Sequence, residues 1–224
     1  MTFSLAGHCA ASGRFGIVVT SSSPAVAARC AHARARVGAA ASQNVTDPAL
    51  GRLLLDLLAS GLSAAEAMTQ LVATAAHAEF RQLTCVDGGG LVASYSGERT
   101  LGRHATAEGA GCVAAGNLLA DEGVPEAMVD AFEGADGDDL GDRLVAALTA
   151  GLAAGGEEGP VRSAGMLVVD TVPWPVADLR VDWHDEPIHE LARLWLLWQP
   201  QLDAYVARAL DPSQAPSYGV PGDE

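Results

Sequence analysis

A threonine stands directly behind the methionine in MTFSLAGHC, and that order has a specific chemical meaning. Initiator methionine is cleaved when the second residue is small, and Thr2 would then hold a hydroxyl nucleophile and an α-amine on one residue. An α-amine titrates near about 7.7–8.0. It can therefore take the Oγ proton, directly or through water, as Oγ attacks an amide carbonyl. The plain alternative is that Thr2 is the first residue of a strand. Other side chains suited to such chemistry lie far along the chain. Gln43 and Asn44, in SQNVTD, are neutral donors of the kind that hold an oxyanion, where one donor contributes about 2.7–4 kcal/mol. The same amides could instead close a strand or cap a helix. Asn117 follows Gly116 at a predicted strand end. Arg162 and Ser163 could bind a carboxylate and polarise a terminal amine, or form an ordinary ion pair. ARCAHARAR carries Arg29, His32, Arg34 and Arg36; it either steers an anionic substrate or neutralises acidic neighbours.

Other chemistries find less support. The chain has 28 acidic and 13 basic residues, a formal charge of −15, which disfavours nucleic-acid and membrane-surface partners. Every basic residue is arginine, so lysine-dependent or Schiff-base mechanisms are excluded. His184 and His189 straddle Pro187 and do not form a metal motif, and DGDDLGD lacks calcium-loop spacing, reading instead as acidic charge at a helix start. No metal and no cofactor is expected. The four cysteines are well separated and read as reduced, small apolar fillers. No leader and no apolar run of about 18 residues is evident, which points to the cytoplasm.

The elements that must position these residues follow from periodicity. Residues 2–9 and 14–22 read as a hairpin, and 36–43 as a third strand. Asp47–Pro48 opens a helix that runs to Gly61, and Ser63 with Glu66 forms a capping box for a second at 63–76. EFRQLTCVDGGGLVASYSG is a hairpin around three glycines, with Asp87 as a turn residue. A strand at 110–116, helices at 125–133 and 139–153, strands at 163–170 and 177–183, and a long helix at 187–209 complete the order. Hairpins and paired helices predict an α+β, four-layer αββα sandwich of two largely antiparallel sheets. One domain is expected over 1–211, followed by a flexible tail at 212–224.

Several stretches resemble a bacterial family of Ntn-hydrolase-like proteins labelled a domain of unknown function, number one thousand and twenty-eight in its series. They are MTFSLAG, ARARVGAAASQNVTDPALG, RQLTCVDGGGLVASYSG, GCVAAGNLLADEGVPEAMVDAFE, LGDRLVAALTAGLAAGGEEGPVRSAGMLVV and ADLRVDWHDEPIHELARL. The resemblance spans residues 2 to about 195. It implies the same αββα sandwich and an N-terminal nucleophile at the end of a central strand, with SQNVTD nearby. On that basis, together with the side-chain chemistry above, Thr2, Gln43 and Asn117 are the expected catalytic residues, and Arg34 (from the basic cluster), Asn44, Arg162 and Ser163 the expected substrate-binding residues. EEGPVRSAG has less Arg and Asp than the family pattern, and Ser96 stands where threonine is usual, so the resemblance implies a different ligand or reduced activity.

Two functions follow as expectations. One is an amidohydrolase that cleaves a carbon–nitrogen bond of a small-molecule amide through Thr2 after Met1 is removed. The other is a non-catalytic αββα protein that binds a ligand or a partner. Ile188, Leu191, Trp195, Trp198, Leu202 and Tyr205 recur at spacings of three and four, a stripe that is either core or the surface of a homodimer.

Overall fold

The computed structural model describes residues 1–135 and 139–222. Among the described residues, ten strands form two antiparallel sheets. The larger has the order β10-β9-β2-β1-β8-β7, and the smaller β3-β4-β5-β6. Their ranges are β1 Thr2–Cys9, β2 Arg14–Ser21, β3 Ala31–Arg34, β4 Gly38–Asn44, β5 Arg81–Asp87, β6 Val92–Ser96, β7 His104–Gly109, β8 Cys112–Asn117, β9 Ser163–Val169 and β10 Pro175–Val181. Helices α2 (Pro48–Ala59) and α3 (Ala64–Thr74) cover the small sheet. Helices α4 (Val124–Gly134), α5 (Leu140–Ala153) and α6 (Pro187–Trp198) cover the large one. The layers are therefore helix, sheet, sheet, helix, as the element order predicts. Among the described residues no helix is long and apolar enough to cross a membrane.

Strand alternation assigns each side chain to a layer. On β1, Phe3 and Leu5 enter the core beneath α4 and α5, whereas Ala6 meets the opposite sheet with Phe15, Ile17, Ala39, Ala41, Val86, Val113 and Val169. Small residues in this inter-sheet layer let the sheets approach closely. Gly7 serves the helical side: a Cβ there would stand 2.6 Å from the Phe132 ring. Helix starts are fixed as their sequences require. Asp47 accepts from the Ala49 amide, Ser63 and Glu66 cap α3 reciprocally, and Asp139 accepts from the Gly141 amide. The first three residues of DGDDLGD lie outside the described residues. Asp87 is a turn residue and more: one oxygen accepts from Gly89 and Leu91, and the other accepts from the Ala64 amide at the start of α3.

Three expectations are corrected. The strand at 36–43 is β4, but it is the second arm of a hairpin whose first arm, β3, was not expected; a one-turn helix α1 (Ala27–Cys30) precedes the hairpin, which turns at Arg36, whose φ is 62°. Strand β7 went unanticipated. The long helix at 187–209 is broken: α6 ends at Trp198, a 3₁₀ turn spans Gln199–Gln201, and α7 occupies Leu202–Leu210. Pro200 is the cause, since it has no N–H and its ring clashes with the carbonyl one turn earlier. The apolar stripe is core for its larger part. Ile188, Leu191, Trp195 and Leu202 are buried in the large-sheet cluster, and Trp198 stacks on Tyr205 with ring centroids 4.8 Å apart.

Candidate functional site

The inter-sheet layer is apolar at one end and polar at the other, and Thr2 marks the polar end. Thr2 pairs with Asn117 on β8, while Phe3 opposite Thr20 brings Ser21 of β2 alongside. Thr2 is only 6% exposed. Its Oγ donates to the Met1 carbonyl at 2.5 Å and lies 3.4 Å from Ser21 Oγ. Ser21 Oγ donates to the same carbonyl at 2.5 Å and accepts from the Ser23 amide at 3.0 Å. Two hydroxyls thus converge on the carbonyl of the peptide bond whose loss would make Thr2 the N-terminus.

Behind them runs a buried amide relay. Ser4 Oγ donates to Gln43 Oε1 at 2.7 Å, and Gln43 Nε2 donates to Gln82 Oε1 at 2.8 Å and to the Ala115 carbonyl at 3.2 Å. Gln82 Oε1 also accepts from Asn117 Nδ2 at 3.1 Å, while Gln82 Nε2 donates to Ser96 Oγ and to the Gly116 carbonyl, each at 3.0 Å. Both amide hydrogens of Gln43 are therefore engaged. Asn117 keeps one amide hydrogen uncommitted, and its buried Oδ1 has no hydrogen-bond partner. A buried amide oxygen left unpaired is costly.

The backbone around this end is held tautly. Asn44 and Leu118, each one residue from a site amide, have φ of 75° and 52°, a conformation that costs a non-glycine residue about 1–3 kcal/mol. Past Leu118 the chain is strapped to the segment after α5. Glu158 N donates to the Leu118 carbonyl, Ala120 N to the Gly156 carbonyl, and Leu119 bridges Glu157. That strap sets Glu157 beside the chain's first residue. Glu157 is 5% exposed, and neither carboxylate oxygen makes a well-formed hydrogen bond. Burial raises its pKa well above the ordinary 4.5, to about 7, with the terminal ammonium and Ser22 opposing the rise.

At residues 2–191 the sequence matches the profile of the Family of unknown function (DUF1028). The chain belongs to the DUF1028 family. The crystal structure of protein SPO2555 from Silicibacter pomeroyi, of the same family, resembles this DUF1028 chain with TM-score 0.81 and 30% identity, over 88% of this chain and 85% of that one. Anbu (ancestral beta-subunit) from Yersinia bercovieri aligns over 97% of this chain and 100% of that one, at 12% identity and TM-score 0.39. No curated protein matches.

In this DUF1028 chain the structure gathers Thr2, Gln43 and Asn117 at one end of the inter-sheet layer, and sets Ser163 next to them through its pairing with Ser21. Ser163 Oγ donates to the Ser23 carbonyl and accepts from Val26 N, so it fixes the loop after β2. Arg162 donates its amide to the Ser21 carbonyl, and its guanidinium pairs with Asp185. Asn44 is committed to the Phe80 carbonyl at 2.5 Å and the Leu101 amide at 3.2 Å. Arg34 is not brought to the site. It pairs with Gly38 at the far end of β4 and with Asp56 at 2.7 Å, neutralising an acidic neighbour. Five residues of strand, about 16 Å, separate Gly38 from Gln43. Sequence reasoning missed Ser21, Gln82 and Glu157. The signal for Gln82 was a long polar side chain that shares with Thr84 the face of β5 turned toward the other sheet. No group of three or more His, Cys, Asp or Glu that could hold a metal occurs among the described residues.

The state of Glu157 has a thermodynamic consequence. With a pKa raised by folding, the folded chain keeps a proton that the unfolded chain releases between about pH 4.5 and 7, so stability falls as pH rises through that window. Glu157→Gln is expected to raise the melting temperature at about pH 8 by several degrees, corresponding to roughly 1–3 kcal/mol. The gain should vanish below about pH 4, where wild-type glutamate is protonated in both states. Thermal melts across pH test this; a gain that does not change with pH would contradict it.

Proposed function

We propose that the chain is an N-terminal-nucleophile amidohydrolase acting on a small-molecule amide in the cytoplasm, with Thr2 as its nucleophile once Met1 is removed. The observation that carries the reading is the convergence of the Thr2 and Ser21 hydroxyls on the Met1 carbonyl, at the polar end of the inter-sheet layer. Loss of Met1 removes that acceptor, frees both hydroxyls and leaves the Thr2 amine beside its own Oγ. Thr2 Oγ then bonds to the substrate carbonyl carbon while its proton passes to the amine. The amine returns the proton to the leaving nitrogen as the carbon–nitrogen bond breaks. Water, deprotonated by the same amine, releases the acyl group from Oγ. Asn117, with an uncommitted amide hydrogen, and Ser21 are the side-chain donors for the oxyanion. Gln43 positions Ser4 and Gln82 around them. Arg162 and Ser163 shape the rim through Ser21. A homodimer would use Leu196 and Leu197, which are exposed on α6, rather than the buried tryptophan.

One observation favours a non-catalytic, ligand-binding role: while Met1 is present, its carbonyl occupies both hydroxyls and Thr2 has no free amine. Intact mass and an electrophilic lactone probe separate the readings. The hydrolase requires a mass lacking methionine and a covalent adduct mapped to Thr2. A retained Met1 in protein purified from its native host would sink it.

A further inference from the structure

A cleft of about 230 Å³ opens beside Met1, lined by Leu152, Glu157, Pro160, Val161, Asp185 and Ile188, among others. This is smaller than the about 300–1,000 Å³ typical of drug-sized ligand sites, and suits a group of amino-acid size. Its carboxylates are not equivalent. Asp185 pairs with Arg162, and Glu186 lies 3.8 Å from His189. Glu157, the most buried of them, has no cationic side chain; the positive charge acting on it is the ammonium of the chain's own first residue. The side chain of that residue lies against Gly159 on the cleft wall, where a Cβ would be 3.5 Å from Met1 Cε and 3.7 Å from Met1 Sδ.

Met1 is therefore an aminoacyl group in miniature. Its carbonyl meets the Thr2 and Ser21 hydroxyls, its ammonium acts on Glu157, and its side chain rests on an apolar wall. When Met1 leaves, the chain's first amine retreats by one residue to Thr2, where it must be neutral to act as base, so an ionised Glu157 loses the ammonium that acted on it, a costly state that a bound cation relieves. We propose that the place Met1 vacates, continuous with this cleft, receives the free α-amino end of an aminoacyl amide or short peptide, with Glu157 as the residue that selects for its ammonium. The proposal deepens the Thr2 reading and rests on it for catalysis, since the bond cleaved is the amide bond of the bound aminoacyl group. Recognition itself requires only the vacated site. The missing Cβ at Gly159 leaves room for an unbranched side chain such as that of methionine.

The test measures binding apart from turnover. Protein is produced from a cleavable fusion that leaves Thr2 as the first residue, and carries Thr2→Ala in a parallel preparation. L-Methioninamide and N-acetyl-L-methioninamide are titrated into each by calorimetry. The expected result is saturable binding of the free amine and at least tenfold weaker binding of the acetylated compound, in both preparations. Glu157→Gln should erase that preference. Equal affinity for the two compounds, or no binding of methioninamide, overturns the proposal. Should Glu157→Gln fail to fold, the free-amine and acetyl pair on the wild-type chain decides alone. The nucleophile reading fails by a different result, the absence of a Thr2 adduct, and the Thr2→Ala preparation keeps the two failures apart.

Discussion

Replacing Thr2 with alanine, in protein that has lost Met1, is expected to lower turnover of any amide substrate by about a thousandfold or more, the scale on which deleting a covalent nucleophile acts. Alanine is small enough for methionine removal to proceed, so the variant keeps a free α-amine and loses Oγ together with one buried methyl. The structural cost is slight. Once Met1 is gone, the remaining neighbour of Oγ is Ser21 Oγ at 3.4 Å, and Ser21 retains the Ser23 amide. That weak contact and the buried methyl together cost about 1–2 kcal/mol, a fall of a few degrees in melting temperature, so the variant should stay folded while activity is lost. Thr2→Ser keeps the hydroxyl and should retain measurable turnover. Steady-state kinetics with each variant, on protein whose N-terminus has been verified by mass, provides the check. Full activity in the alanine variant would eliminate Thr2 as nucleophile.

The largest effect on stability is expected at Gln82. Its side chain makes four hydrogen bonds across both sheets, accepting from Gln43 and Asn117 and donating to Ser96 and Gly116. Gln82→Ala leaves two buried amide donors short of an acceptor, each worth about 1–3 kcal/mol, and opens a void where water has no ready path. A loss of roughly 3–5 kcal/mol follows, which at about 2–4 °C per kcal/mol for a domain of this size is a fall of some ten degrees or more in melting temperature. Ser96→Ala, at the rim of the same network, should cost about 1 kcal/mol. A double-mutant cycle between Gln43 and Gln82 should show coupling above about 0.5 kcal/mol. If Gln82→Ala is as mild as Ser96→Ala, the amides do not act as a unit.

The sequence was most readable where physics is local. Alternation along TFSLAGHC and RFGIVVTS, the Asp47–Pro48 and Ser63–Glu66 helix starts, and the three-glycine turn each carry their own instructions, and each stands close to where it was expected. β7 was missed because HATAEG is an edge strand whose alternation runs only between exposed and half-buried positions, with alanine and glycine in place of larger apolar residues. β3 was missed because AHAR is only four residues long and its turn to β4 uses Arg36 with positive φ instead of a glycine. In the helical stretch LLWQPQLDAY, apolar spacing continued across Pro200 and masked the break. The site was readable in proportion to register. Thr2 and Asn117 meet because β1 and β8 pair in sequence-determined alternation. Gln82 meets Asn117 across the interface of two sheets, 35 residues apart, a relation no local pattern records. Arg34 illustrates the converse: residue type suggested binding, but only the hairpin decides which end of the sheet it occupies.

The strap between residues 118–120 and 156–158 makes α5 a measuring rod. The helix is anchored at its start by Asp139 and Arg14 and at its finish by the segment that carries Glu157. Each residue of helix adds about 1.5 Å and turns the chain by about 100°. Lengthening or shortening α5 by a single position would therefore swing Glu157 away from the first residue of the chain and turn Leu144 and Leu148 off the large sheet. Insertions and deletions within residues 140–157 are consequently barred twice, by the packing of the buried face of α5 and by the position of Glu157.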